Sequence, residues 1–216
     1  MKICNIMAIF HSTAFSRLSK SFGNLTTCRT KGTNIVKEKV TQVFNPRTLA
    51  QRQQRLRMKK LVDLCSVYDP VLSVGFPGRP MNYTPDNMFV KLNQQAVEVS
   101  AKLEVTVNYD RMVVSAGNRR LPEVSVSADE TGQQLTFTHA AEEFMRHAAD
   151  DDCLYAAVLE KTKQRLKLFA LNERKDTDAA VVGLPPGWSV ASLCIYVFIV
   201  SKDGKSASAS QWVTLG

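Results

Sequence analysis

At 216 residues, with 44% hydrophobic and 22% charged positions, the chain is long enough to bury a substantial core and too mixed in composition to be fibrous or disordered. No apolar run approaches the roughly 18 residues that a membrane-crossing helix needs. The net charge of +8 is unevenly held: residues 1–80 carry 14 Lys and Arg against three acids, which is +11, and the remaining residues carry 14 against 17, which is −3. Such asymmetry suits contact with a polyanion or an acidic protein surface, and it is equally compatible with plain solubility.

Residues 1–21 read as a lead-in segment, disordered or helical. Lys2 and the following "ICNIMAIF" faintly imitate a secretory signal, but the apolar stretch is short, contains Asn5 and is followed by more basic residues. Met7 is an equally good start. The five cysteines (Cys4, Cys28, Cys65, Cys153 and Cys194) are scattered and never spaced C-x-x-C. That pattern argues against a zinc site or a disulfide framework and fits buried free thiols in a reducing setting, hence cytoplasm rather than secretion.

Residues 22–118 read as one basic module of a hairpin, helices and strands. Within "FGNLTTCRTKGTNIVKEKVTQVF", residues 22–44, alternation predicts two strands joined at "TKGTN", with Arg29, Lys31, Lys37 and Lys39 flanking the turn. The cations fit a polyanion site, or an edge strand protected against aggregation. "NP" at 45–46 breaks the pattern. Thr48 then stands at an N-cap position with Gln51 three residues on, the capping-box spacing. The helix so opened is predicted to run from about Leu49 to Tyr68 and to stop at Asp69-Pro70.

Met58, Leu61, Val62, Cys65 and Tyr68 recur at three- and four-residue spacings and predict that the second half of this helix packs on a core. The first half is almost wholly polar and is expected to project into solvent or onto a partner. It carries Arg52, Arg55, Arg57, Lys59 and Lys60, with Arg47 just before it; Arg52, Arg55 and Lys59 fall on one face. Thr84-Pro85 predicts a second helix, with Phe89, Leu92 and Ala96 as its apolar stripe. "LEVTVNY" and "MVVSA" follow as strands, closed by Gly117.

Residues 119–216 read as purely β. "EVSVSA", "QLTFTH", "CLYAAVLEK", "LKLFALN", "DAAVVGL", "ASLCIYVFIVS" and "ASASQWVTLG" are seven strand candidates separated by turn signals. This spacing predicts an immunoglobulin-like or fibronectin-III-like β-sandwich. "ASLCIYVFIVS" is the best buried central strand; "KDGK" turns into a last strand holding Trp212, and Trp188 closes the core. "AAEEFMRHAADDD" reads as one helical turn in a connection. The fold class expected is therefore mainly β with two or three helices: an α+β N-terminal module followed by the sandwich.

There is no G-x-S-x-G, no phosphate-binding glycine loop, and three histidines in all. His147 with Asp150, Asp151 and Asp152 is the only cluster of metal-ligand types, but consecutive acids point in different directions, and a solvated turn is the better reading. His139 sits in a strand pattern. Asp129-Glu130 and Glu142-Glu143 are adjacent pairs, which do not hold two carboxyls across a scissile bond. No enzyme activity, cofactor, metal or small-molecule substrate is expected. The basic helix lacks interleaved aromatics and any recognised DNA-reading frame, so a protein contact or a solvated face is preferred to nucleic acid.

"SFGNLTTCRTKGTNIVKEKVT", "NPRTLAQRQQRLRMKKLV", "SVGFP" and "NMFVKLN" together resemble an uncharacterised protein family, a domain of unknown function, of Bacteroidota genomes and their phages. Members have a G-x-N-I-V-[KR]-x-K hairpin, a T-x-A-Q-x-x-Q-R helix start, an N-x-F-x-x-x-N helix and a β-rich C-terminal half. The resemblance runs from about residue 7 to the end, so the residues before Met7 read as an extension. It supplies no catalytic residue, and it implies a virion-associated or other assembly role. The expectation is a non-enzymatic structural or interaction protein, homo-oligomeric or bound to a protein partner, with no membrane span. The alternative is a nucleic-acid-binding accessory protein using residues 29–60.

Overall fold

The structure, a computed structural model of the chain, describes residues 7–11, 19–30, 32–39, 42, 45–129, 133–140 and 146–215. It divides into two units, residues 1–47 and 48–216. The module expected over 22–118 is thus split: its hairpin lies in the first unit, and its helices belong with the β-rich half. The physical reason is shared packing, since the helices and the strands beyond residue 119 contribute to one hydrophobic cluster.

The first unit is a four-stranded antiparallel sheet of β1 (Met7–Phe10), β2 (Lys20–Phe22), β3 (Leu25–Thr30) and β4 (Thr33–Glu38), in the order β1-β4-β3-β2. The expected hairpin is β3–β4, closing at Thr30 and Thr33 with Gly32 at φ +84°. A second tight turn joins β2 to β3 through Gly23 at φ +54°. Two-residue hairpin loops need left-handed backbone, which glycine adopts without a Cβ clash. β1 and the start of β2 fall inside residues 1–21, which corrects the expectation of a disordered or helical lead-in; residues 1–6 and 12–18 lie outside the described residues.

Strand register sorts the side chains onto two faces. Ala8, Val36, Thr27 and Lys20 form one cross-strand row, flanked on the same face by Phe10, Asn34 and Arg29 and by Glu38, Leu25 and Phe22. The opposite face carries Lys37, Thr26, Ser21, Ile9, Ile35 and Cys28. None of the residues from 8 to 47 whose burial is described is buried. Phe22 is 85% exposed, Ile9 65% and Leu25 47%.

The second unit opens with α1 (Leu49–Gly75). Its start matches the sequence: the Gln51 amide donates to Thr48 Oγ1 at 3.3 Å. Its end does not, because the helix runs through Pro70 to Gly75. An interior proline costs about 3 kcal/mol. The turn beyond it buries Val71, Leu72 and Phe76, each worth about 1.5–3 kcal/mol, and these offset the cost. Met58 and Val62, expected in the core, stay exposed on the outer side while Leu61, Leu64, Cys65 and Tyr68 are buried.

α2 (Pro85–Leu92) is capped by Thr84, whose Oγ1 accepts from the Asn87 amide at 3.2 Å. It stops at Asn93, so Ala96 is not on its stripe. Instead β5 (Val97–Val99) begins there and pairs with β6 (Val105–Val107). "MVVSA" joins no ladder: side chains take part of its hydrogen bonding, Asn93 Oδ1 accepting from Val113 N and Ser210 Oγ from Val114 N.

All seven expected strands are present: β7 (Val124–Asp129), β8 (Gln134–His139), β9 (Cys153–Glu160), β10 (Arg165–Glu173), β11 (Ala180–Gly183), β12 (Leu193–Val200) and β13 (Gln211–Val213). They form a four-stranded sheet, β10-β9-β12-β13, and a three-stranded one, β11-β8-β7. Side-chain alternation divides the four-stranded sheet between two cores. Ala157, Leu159, Tyr196 and Phe198 pack with Leu61, Tyr68 and Phe89 of the helices. Ala156, Val158, Ile195 and Val197 pack with Val126, Leu135, Phe137 and Trp188. The unit is therefore layered, with the helices on one face of this sheet and the smaller sheet on the other. The chain is mainly β with two α-helices. The helical turn expected in "AAEEFMRHAADDD" lies partly outside the described residues, which omit 141–145.

Candidate interaction surfaces

The polar first half of α1 does not project freely. In the β5–β6 pair, Ala96 O accepts from Asn108 N and Ser100 N donates to Glu104 O, so the odd-numbered carbonyls of β5 point away from β6. Arg57 Nε donates to Val97 O at 2.9 Å, and Gln53 Nε2 to Val99 O at 3.2 Å. Arg57 also donates to Gln54 Oε1 at 2.8 Å. Arg57 is thus a structural cation that satisfies a strand edge. Arg57→Ala is expected to lower stability by about 1–2 kcal/mol, read as a shifted denaturation midpoint with unchanged slope.

Of the remaining cations, Arg52, Arg55 and Lys59 are exposed on the outer face of α1 as predicted, and Lys60 is half-buried. In the first unit Arg29, Lys37, Lys39 and Arg47 are exposed, whereas Lys31 lies outside the described residues. Arg29 and Lys37 stand on opposite faces of the sheet. The ten candidates therefore do not form one continuous row. Sequence reading missed Lys20, which shares the face of Arg29 with Phe10 and Phe22; only the strand register reveals it. On that face Phe10, Lys20, Phe22, Leu25, Thr27 and Val36 line a mainly apolar hollow of about 500 Å³.

The motifs that carry the resemblance build architecture. In "NMFVKLN", Phe89 packs on Tyr68 with ring centroids 5.1 Å apart. Buried Asn93 donates from Nδ2 to Phe89 O at 2.9 Å and Val113 O at 2.8 Å, and its Oδ1 accepts from Val113 N at 2.7 Å. In "SVGFP", Gly75 O accepts from Ala116 N and from Ser115 Oγ, so the end of α1 is tied to the 112–116 segment.

Titratable groups in the core are held in place rather than activated. The Tyr68 and Tyr196 hydroxyls lie 3.4 Å apart, Tyr196 donates to Tyr109 O at 2.6 Å, and burial pushes both phenols well above their ordinary value. Burial, aided by the nearby Asp86 charge, raises the Cys65 thiol to about 11, which disfavours the reactive thiolate. His139 Nε2 lies 3.1 Å from Arg174 O. Asp152 pairs with Arg119 at 3.0 Å, and His147 is exposed, so the one cluster of metal-ligand types is dispersed. Among the described residues no three His, Cys, Asp or Glu side chains could hold a metal together.

Glu160 is buried and accepts from the Ser192 hydroxyl and the Lys163 amide, which hold its carboxyl below the usual carboxylate range. A lowered folded-state value gives stability that is present above the ordinary glutamate range and lost as pH falls through it. Glu160→Gln is therefore expected to be least stable relative to the parent near pH 7, with the gap closing below about pH 4 in a pH series of thermal melts.

Among the described residues no helix is long and apolar enough to cross a membrane. The chain matches no curated protein and no solved structure. A model of a family of unknown function, DUF6266, matches residues 17–214, and the chain belongs to that family.

Proposed function

We propose that the protein is a non-enzymatic assembly component, acting in the cytoplasm or in a phage or mobile-element particle, whose first unit captures an acidic protein partner. The observation that carries this reading is a sheet with no buried residue among those whose burial is described, and an apolar hollow on a strongly basic unit. Residues 1–47 hold eight Lys and Arg against one acid, Glu38. A sheet face of Phe10, Phe22, Leu25 and Val36 gains a core only when something covers it. The surrounding charge selects an acidic protein segment.

Nucleic acid is the second reading, favoured by Phe10, Phe22, Lys20 and Arg29 on one face, since exposed rings and cations form platforms for unpaired bases. The aliphatic lining, the split of Arg29 from Lys37 and the structural use of Arg57 weigh against a continuous phosphate track.

Fluorescence anisotropy decides between them, using a labelled peptide of alternating Glu and Leu/Phe, and a labelled single-stranded oligonucleotide, from about 50 to 300 mM salt. The proposal expects the peptide to bind, to persist at high salt and to be lost on Phe22→Asp. Tighter binding of the oligonucleotide would favour the second reading. Binding of neither would contradict both.

A further inference from the structure

The outer face of α1 carries Arg52, Arg55, Lys59, Val62, Ser66 and Asp69 at alternating spacings of three and four, all exposed. This is the 3.5-residue seam along which two helices pair side by side. Its charges are sorted by sign, with the cations in the N-terminal half and Asp63 and Asp69 in the C-terminal half. Exposed Met58 (43%) and Val62 (52%) stand in the middle. Beside the acidic half runs a groove of about 630 Å³ between α1 and α2, lined by Val62, Cys65 and Val90 and bordered by Asp69 and Asp86. Among the described residues, none of Arg52, Lys59, Asp63, Asp69 and Asp86 forms an ion pair.

We propose that two copies of the chain associate through this face, with their α1 helices antiparallel about a two-fold axis at the level of residues 60 and 61. Antiparallel pairing about that point sets Arg52 against Asp69 of the second copy, Arg55 against Ser66, and Lys59 against Val62. Parallel pairing would set like charge on like. Because the contact is two-fold, each pair occurs twice. The long stems of the basic side chains lie over the apolar lining of the groove while their charges reach Asp69 and Asp86. With two apolar residues per copy at the centre, the dimer draws much of its stability from exposed charge and weakens with salt.

This inference rests on the reading of the protein as an assembly component, and it uses a different surface from the sheet of the first unit. Sedimentation equilibrium of the full chain at low salt should show a dimer of about 48 kDa, twice the 24.0 kDa chain. Arg52→Asp and Asp69→Arg should each raise Kd by at least about tenfold, and the double variant should restore it to within about threefold. Val62→Lys, on an exposed position facing Lys59 of the second copy, should also dissociate the dimer without unfolding the chain. A chain that stays monomeric overturns the proposal, as does a dimer indifferent to all these variants or single losses that the double variant does not restore. Peptide binding by the first unit, measured on the same samples, separates the two ideas. If it persists without a dimer, only this inference fails; if both are absent, the assembly reading fails as well.

Discussion

Gly75→Ala is expected to destabilise the protein by at least about 3 kcal/mol, or to prevent folding altogether. Helix propensity alone gives the opposite sign, because alanine is favoured over glycine in a helix by about 1 kcal/mol. The deciding term is space. A Cβ at residue 75 would lie 2.2 Å from Val114 O, well inside contact distance and against backbone rather than a movable side chain. The 112–116 segment cannot simply retreat, since Gly75 O holds Ala116 N, and Asn93 and Ser210 hold Val113 and Val114. Gly78→Ala is the control: its Cβ would find nothing nearer than Lys205 O at 4.0 Å, and its stability should stay within about 0.5 kcal/mol. Urea denaturation of both variants checks this. A Gly75→Ala protein at least as stable as the parent would contradict the packing described for the end of α1.

Asn93→Ala is expected to cost about 3–4 kcal/mol, from three lost hydrogen bonds and the stranding of Val113 N–H and C=O in the interior. The geometry adds a sharper expectation. Asn93→Asp keeps the acceptor for Val113 N but turns a carboxylate oxygen toward the carbonyls of Phe89 and Val113. It should therefore be no more stable than the alanine variant at pH 7. Full stability in Asn93→Asp would contradict the assignment of the amide as a two-way clamp.

The parts of the fold legible in the sequence are those fixed by neighbours in the chain. Thr48 with Gln51 and Thr84 with Pro85 marked both helix starts, because a cap is satisfied within four residues. The seven strands of the β-rich half were readable from alternation and turn residues. What was not legible depends on residues far apart. Pro70 reads as a stop until the burial of Val71, Leu72 and Phe76 is known. Arg57 and Gln53 read as free polar side chains until β5, some forty residues on, offers them its outer carbonyls. "MVVSA" reads as a strand because its alternation is real, yet part of its hydrogen bonding goes to side chains. The unit boundary at Arg47 and Thr48 was likewise hidden, since only packing shows that the helices share a core with strands beyond residue 119.

The same distinction separates the motifs from the surfaces. Gly75, Phe89 and Asn93 belong to stretches that stand out in the sequence, and their chemistry is spent inside the protein. Lys20, Phe22, Met58 and Val62 stand out much less, and they remain exposed. Of the basic residues flagged from sequence, Arg57 is structural, whereas Arg52 and Lys59 are exposed on α1.

On the function proposed above, the sheet of the first unit has no core of its own among the residues whose burial is described and acquires one from a partner. Amide hydrogen exchange on the full chain, alone and with excess acidic-apolar peptide, is the decisive experiment. The prediction is that β3 and β4 exchange far faster than β9 and β12 in the free protein, and that the peptide slows β3 and β4 selectively. Protection of β3 and β4 equal to that of β12 without peptide, or no slowing with it, would contradict the claim.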